Sequence, residues 1–385
     1  MFTTASMTSL FSRNQFKVLL LCAVCLACFS CGHTQAAAPI PITTVMQAVG
    51  EYGRGRQSLP PARQNAIAAQ VAPTVDELYD SDGPYQAHIA AILAQDDFGQ
   101  LENEAHRVRG SKARLRGGVW KLCGFYDGVS KPSTGTNATD SDWDHHFATL
   151  KKWIITYPDS AAARIALAET YLNYAWAARG SGYSDNVSES GWNLFGKRVE
   201  LGKATLLDAA LLKEKCPYWY EAMQQVALAQ GWQKQQAREL LDEAAAFEPT
   251  YYHFYREYAN FLLPKWYGEE GDTQAFAEEV FARLGDPDGS IVYFEIASLL
   301  ACQCDAEKDS LTGMSWPRIK QGYAELQRQH GTSNLKMNRF AYMSFVAGDK
   351  SSAHDTFALL GTSWNHLVWR SADNFGSAKV WASTP

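Results

Sequence analysis

The stretch that decides the fold is Tyr218–Thr250, YWYEAMQQVALAQGWQKQQARELLDEAAAFEPT. Trp219, Ala222, Met223, Val226 and Ala227 recur at helical spacing and share one face. Gly231 interrupts the pattern, and Ala237, Leu241 and Ala244 then build a second face that Pro249 closes. Two helices with small residues where they cross, followed by a proline, make up the unit of about 34 residues that tetratricopeptide arrays repeat. The spacing has a mechanical reason. Small side chains let two helices approach, and large ones lock into the facing groove.

The same pattern recurs on both sides of this stretch. In NLKMNRFAYMSFVAGDKSSAHDTFALLG, Met337, Phe340, Ala341, Ser344 and Phe345 form one face, and Ala353, Phe357 and Leu360 form the other. Gly348 and Asp349 turn the chain between them. In SAAARIALAETYLNYAWAARG, Leu167, Ala168 and Tyr171 occupy the corresponding places, and the partner helix, Gly191 to Leu212, follows an inserted loop. Upstream, PARQNAIAAQVA begins with a proline suited to a helix start. The segment from Pro84 to Gly128 is rich in helix formers and broken at Gly99, Gly110 and Gly117–Gly118. No stretch alternates with the period of a strand. The expected fold is therefore all-α, a tetratricopeptide-like solenoid of antiparallel helical hairpins in which each hairpin buries the exposed face of the next.

Domain boundaries follow from composition. Residues 128–142, GVSKPSTGTNATDSD, are the clearest loop, and Ser141 or Asp142 is placed to cap the helix that follows. A helical region over 61–128 precedes it, and the repeat domain runs over 142–370. Residues 37–60 read as a linker.

Residues 1–36 read as a secretory signal peptide. Arg13 and Lys17 precede an apolar run, small residues end it, and the first acidic residue of the chain is Glu51. The apolar run is shorter than the roughly 20 residues of a transmembrane helix. Within it, Cys22, Cys25, Cys28 and Cys31 are spaced unlike a ferredoxin cluster and have no polar surround, so they act as small hydrophobes. Lipidation at Cys28 or Cys31 is the competing exit. Either way the chain leaves the cytoplasm, and a bacterial periplasm is the expected compartment.

Removing residues 1–36 leaves 33 basic residues against 41 acidic ones, a formal charge of −8. With no basic run anywhere, nucleic acid and anionic membrane surfaces are excluded as natural partners. Four cysteines remain, Cys123, Cys216, Cys302 and Cys304. An oxidising compartment permits two disulfides among them, and buried thiols are the alternative. Cys302 and Cys304 lack the CxxC spacing or histidines of a structural zinc site. The adjacent His145 and His146, with Asp142 and Asp144, point about 100° apart on a helix and read as a solvated helix start. No metal and no cofactor is assigned.

Three segments resemble a bacterial family catalogued as the domain of unknown function 4034. They are WAARGSGYSDNVSESGW (Trp176–Trp192), CPYWYEAMQQVALAQGW (Cys216–Trp232) and FEPTYYHFYREYANFLLPKWYGEEGD (Phe247–Asp272). The likeness runs from about Leu93 to Trp369. It implies helical hairpins of tetratricopeptide type and no assigned activity, so no catalytic residue is carried over.

Two segments interrupt the helical pattern. RGSGYSDNVSES, inserted between two helices, offers Arg179, Tyr183 and Asp185 as a binding loop; insertions in repeat arrays often line the binding face. LLPKWYGEEGD places Trp266 and Tyr267 beside Glu269, Glu270 and Asp272. Paired carboxylates with aromatic platforms suit a glycan-acting enzyme, whereas the same acids also cap the helix that follows, where its dipole favours them. The expected function is a protein- or peptide-binding scaffold of the cell envelope. The alternative is an envelope glycan hydrolase or lyase with Glu269, Glu270 or Asp272 as acid or base.

Overall fold

The structure, a computed structural model, describes residues 82–180, 186–303 and 311–384. Residues 1–81, on which the expected signal peptide and linker fall, Tyr183, Asp185, the side chain of Cys302 and all of Cys304 lie outside the described residues. Among the described residues the α-helices are α1 (Asp82–Ala94), α2 (Phe98–Ser111), α3 (Lys121–Val129), α4 (Asp140–Thr156), α5 (Ala161–Arg179), α6 (Glu189–Ala210), α7 (Tyr218–Gln230), α8 (Lys234–Phe247), α9 (His253–Phe261), α10 (Asp272–Leu284), α11 (Asp288–Gln303), α12 (Trp316–His330), α13 (Asn334–Val346), α14 (Lys350–Leu360), α15 (His366–Trp369) and α16 (Ala372–Ser383). No strand occurs among the described residues; an isolated bridge pairs Arg114 with Trp120.

The quoted stretch folds as its pattern requires. Trp219, Ala222, Met223, Val226 and Ala227 of α7 and Ala237, Leu241 and Ala244 of α8 are all buried. Gly231 caps α7 with φ of 64°, a left-handed conformation that glycine adopts without a Cβ penalty. The two-residue connection that follows folds α8 back on α7. Many helices pack on their neighbours in sequence, α5 on α6, α9 on α10, α11 on α12 and α13 on α14 among them. Every second helix also meets its successor, α3 on α5, α5 on α7, α7 on α9, α9 on α11 and α11 on α13. One hydrophobic cluster runs from Tyr85 to Ala382. Fully burying one Leu or Phe side chain contributes roughly 1.5–3 kcal/mol, and here Trp120, Trp153, Trp219, Tyr126, Tyr220, Tyr251 and Tyr293 are completely enclosed.

Close helix approach is local in origin. Gly202 of α6 sits where an added Cβ would lie 3.2 Å from the Ala168 carbonyl oxygen of α5, whose facing side is lined by alanines.

Three expectations about helix starts and cysteines are corrected or narrowed. The cap of α4 is Thr139, not Ser141 or Asp142. Thr139 accepts from the Asp142 amide, and the Asp142 carboxylate accepts from the Thr139 amide at 2.7 Å, which satisfies two orphan donors at once. The break between α1 and α2 falls before Gly99, at Asp97, whose carboxylate accepts from the Gln100 amide. Cys123 and Cys216 are free thiols, both buried. The predicted solvated histidine pair also divides. His145 is exposed, whereas His146 is buried with Nε2 2.9 Å from the Val129 carbonyl oxygen.

Candidate functional site

The end of α5, the start of α6, the α7–α8 turn and the loop before α10 bring aromatic side chains to one surface. The Arg179 guanidinium lies 5.5 Å from the Trp176 ring centre, 5.3 Å from Trp192 and 5.9 Å from Trp266. Trp176 and Trp266 meet edge to face at 6.0 Å, and Phe195 packs 4.9 Å from Trp176 and 5.7 Å from Trp192. A cation held over several indole faces within about 6 Å gains electrostatic attraction from each ring quadrupole.

Phe195 also opens onto a groove of about 470 Å³, lined with it by Val199, Glu200, Lys203, Gln230 and Trp232. Its polar floor is a connected network. Gln230 donates to Glu200 at 2.6 Å and accepts from Lys203 at 3.2 Å and from the Trp232 indole at 2.9 Å. The surface is therefore apolar at one end and carries one anion and one cation at the other. Trp192 is 40% exposed, an accessible aromatic anchor at its rim.

The structure brings the predicted Arg179 and Trp266 together. Tyr267 lies over the α7–α8 turn, where its ring would crowd any side chain at Gly231 and packs 4.9 Å from Phe261. The sequence reading did not single out Trp176, Trp192, Phe195 or Trp232 as site residues. The signal for them was present as tryptophans flanking the inserted loop and following the Gly231 turn. The predicted acids are placed otherwise. Asp272 opens α10 and accepts from the Glu269 amide at 2.8 Å and from Lys234 at 2.7 Å, which holds its carboxyl below the usual range. Glu269 and Glu270 are exposed on the turn.

A second constellation was missed altogether. Cys123 of α3, Glu221 of α7, Tyr251 and His253, the first residue of α9, converge in the interior. The Tyr251 hydroxyl donates to Glu221 Oε2 at 2.6 Å and lies 2.9 Å from the Cys123 sulfur. His253 Nδ1 is 3.2 Å from Glu221 Oε1 and 3.7 Å from the same sulfur. Burial pushes the Cys123 thiol up to about 11, with the Glu221 charge adding and His253 opposing. Burial alone would lower the His253 pKa, but the Cys123 sulfur and the Glu221 carboxylate hold it well above the usual range.

This is not a nucleophilic relay. A cysteine–histidine–acid triad places the nucleophile on one ring nitrogen and the acid on the other, whereas here both approach Nδ1. A reactive cysteine also has its pKa lowered rather than raised. The arrangement instead offers one sulfur, one nitrogen and one carboxylate oxygen, all within 4.8 Å of one another, as ligand atoms to a common point.

Compared with protein-family models, with curated proteins and with solved structures, the chain finds no match.

Proposed function

We propose that this chain is an exported helical-repeat protein of the bacterial periplasm that binds a protein or peptide partner through the Trp176–Trp192–Trp266 surface and its adjoining groove. The observation that carries the reading is the Arg179 guanidinium set among three tryptophan rings, two of which pack on Phe195, a wall of a 470 Å³ groove. Tryptophan, tyrosine and arginine are the side chains that concentrate binding energy at interfaces. The groove has room for one apolar side chain against Phe195 and Val199, and Glu200 and Lys203 of its polar floor offer partners to the flanking backbone. The stacking of α5, α7, α9, α11 and α13, each on the next, supports a hairpin array of tetratricopeptide type. Such arrays present broad surfaces without a preorganised catalytic pocket.

A glycan-acting enzyme is the second reading. The exposed tryptophan faces favour it, since sugar rings stack on them. The engagement of Asp272 with Lys234 and with the Glu269 amide of the preceding turn weighs against its serving as a free acid or base, although α10 is capped by Gly271 and by none of the three acids.

The test is capture from envelope extract with a photo-crosslinking residue at Gly196 in the groove, run beside Trp192→Ala. Loss of a tryptophan that anchors an interface costs about 2 kcal/mol or more, so the variant is expected to retain less than about a tenth of a stoichiometric protein partner. Equal capture by the variant, or retention of glycan without protein, would refute the scaffold reading.

A further inference from the structure

We propose that Cys123, Glu221 and His253 form a binding site for one divalent metal ion of the zinc class, joining α3 to α7 and α9. The geometry carries this. Bonds of about 2.3 Å to sulfur and 2.0–2.2 Å to nitrogen or oxygen place tetrahedral ligand atoms about 3.3–3.6 Å apart. The sulfur–nitrogen separation is 3.7 Å and Nδ1 lies 3.2 Å from Glu221 Oε1, while the sulfur lies 3.9 Å from the other oxygen, Oε2; one ligand atom from each of the three residues falls within 4.8 Å of the other two. A rotation of the Glu221 carboxylate together with small side-chain movements brings one sulfur, one nitrogen and one oxygen to bonding distance of one point.

The chemistry agrees with the geometry. A thiolate, a carboxylate and a neutral imidazole carry two negative charges, which a divalent cation cancels in a site where unpaired charge is costly. A thiolate and an imidazole favour zinc-like ions, whereas magnesium and calcium take oxygen ligands. Tyr251 supplies the supporting shell. Its hydroxyl holds Glu221 Oε2 and leaves Oε1 directed at His253. Cys123 and Glu221 are more than nine-tenths buried, whereas the His253 side chain is 30% exposed. That edge is the entry path, and three protein ligands leave a fourth position open to water or a partner's side chain. The distances to Nδ1 also identify the ligating nitrogen.

The experiment is cobalt(II) titration of the reduced mature chain, without residues 1–36 and their four cysteines, read by its absorption spectrum, with a zinc competition series for affinity. Wild type is expected to bind one equivalent with a thiolate-to-cobalt charge-transfer band, and zinc displaces it. Cys123→Ser abolishes the band. His253→Gln, at the exposed edge and therefore least able to disturb the fold, weakens zinc binding by more than the 10–100-fold that loss of a supporting residue costs. Cys216→Ser, which removes the buried thiol beside Tyr126 at 3.3 Å, leaves the band unchanged. A wild-type protein with free Cys123 that shows no thiolate–cobalt band would overturn the proposal. So would a band that survives Cys123→Ser, or zinc affinity unchanged in His253→Gln.

Discussion

Glu169 makes the stability of this protein fall as pH rises across neutrality. It sits on α5 at 5% exposure, and its carboxyl accepts from the Gln225 amide at 3.2 and 3.3 Å. Burial, with the nearby Glu221 charge second, pushes its pKa up to about 8 from an ordinary 4.5. Between those values the folded chain keeps a proton that the unfolded chain has lost. Stability is therefore fully present below about pH 4.5 and drains by about 1.4 kcal/mol per pH unit until about pH 8. From pH 5 to pH 7 this one group removes about 2–3 kcal/mol. Glu169→Gln is close to isosteric, keeps an acceptor for Gln225 and cannot ionise. The variant is expected to match wild type within about 1 kcal/mol at pH 5 and to exceed it by about 2–3 kcal/mol at pH 7. Urea unfolding followed by far-ultraviolet circular dichroism at both values reads the difference. Parallel pH dependence in the two proteins would show that Glu169 ionises in the folded state without penalty, and the argument from burial would fail.

Two further substitutions have effects that can be worked from contacts. Gly322→Ala in α12 should destabilise by about 3 kcal/mol, against the roughly 1 kcal/mol that alanine gains in a helix. The added methyl would lie 2.0 Å from the Ser290 carbonyl oxygen of α11, so two backbones must separate; a rise in thermal midpoint would contradict this. Lys336 and Glu295 form a buried pair between α13 and α11, with Nζ 2.5 Å from both carboxylate oxygens. Lys336→Met leaves the buried carboxylate with Arg339 at 4.0 Å and the charge of Arg256 but no close ammonium, and should cost about 3 kcal/mol, whereas Lys336→Met with Glu295→Leu should recover most of it. Denaturant midpoints of both variants decide, and a double variant no better than the single would show that the pair is not compensating buried charge.

The helical character of the chain and the inward faces of its hairpins were legible from residue order, because the information is local. Residues three and four apart share a helix face, so the spacing of Trp219, Met223 and Val226, or of Phe340, Ala341 and Ser344, names the buried side before any tertiary contact is known. Helix ends were legible only to within a few residues. Several hydroxyls and carboxylates compete there; a reciprocal pair of bonds chose Thr139 over Ser141, and a single bond from the Gln100 amide placed the start of α2 at Asp97 rather than Gly99. The aromatic surface was half visible. Arg179 and Trp266 stood out in segments that break the pattern, but their meeting with Trp176 and Trp192 depends on how the loop before α10 folds across the end of α5. The Cys123, Glu221 and His253 cluster was invisible in the chain. Its members stand 98, 130 and 32 residues apart from one another and match no spacing rule. Periodicity fixes which way a side chain points around its own helix axis. Which side chain it then meets is set by the rotation and stacking of α3, α7 and α9, a consequence of packing the whole core.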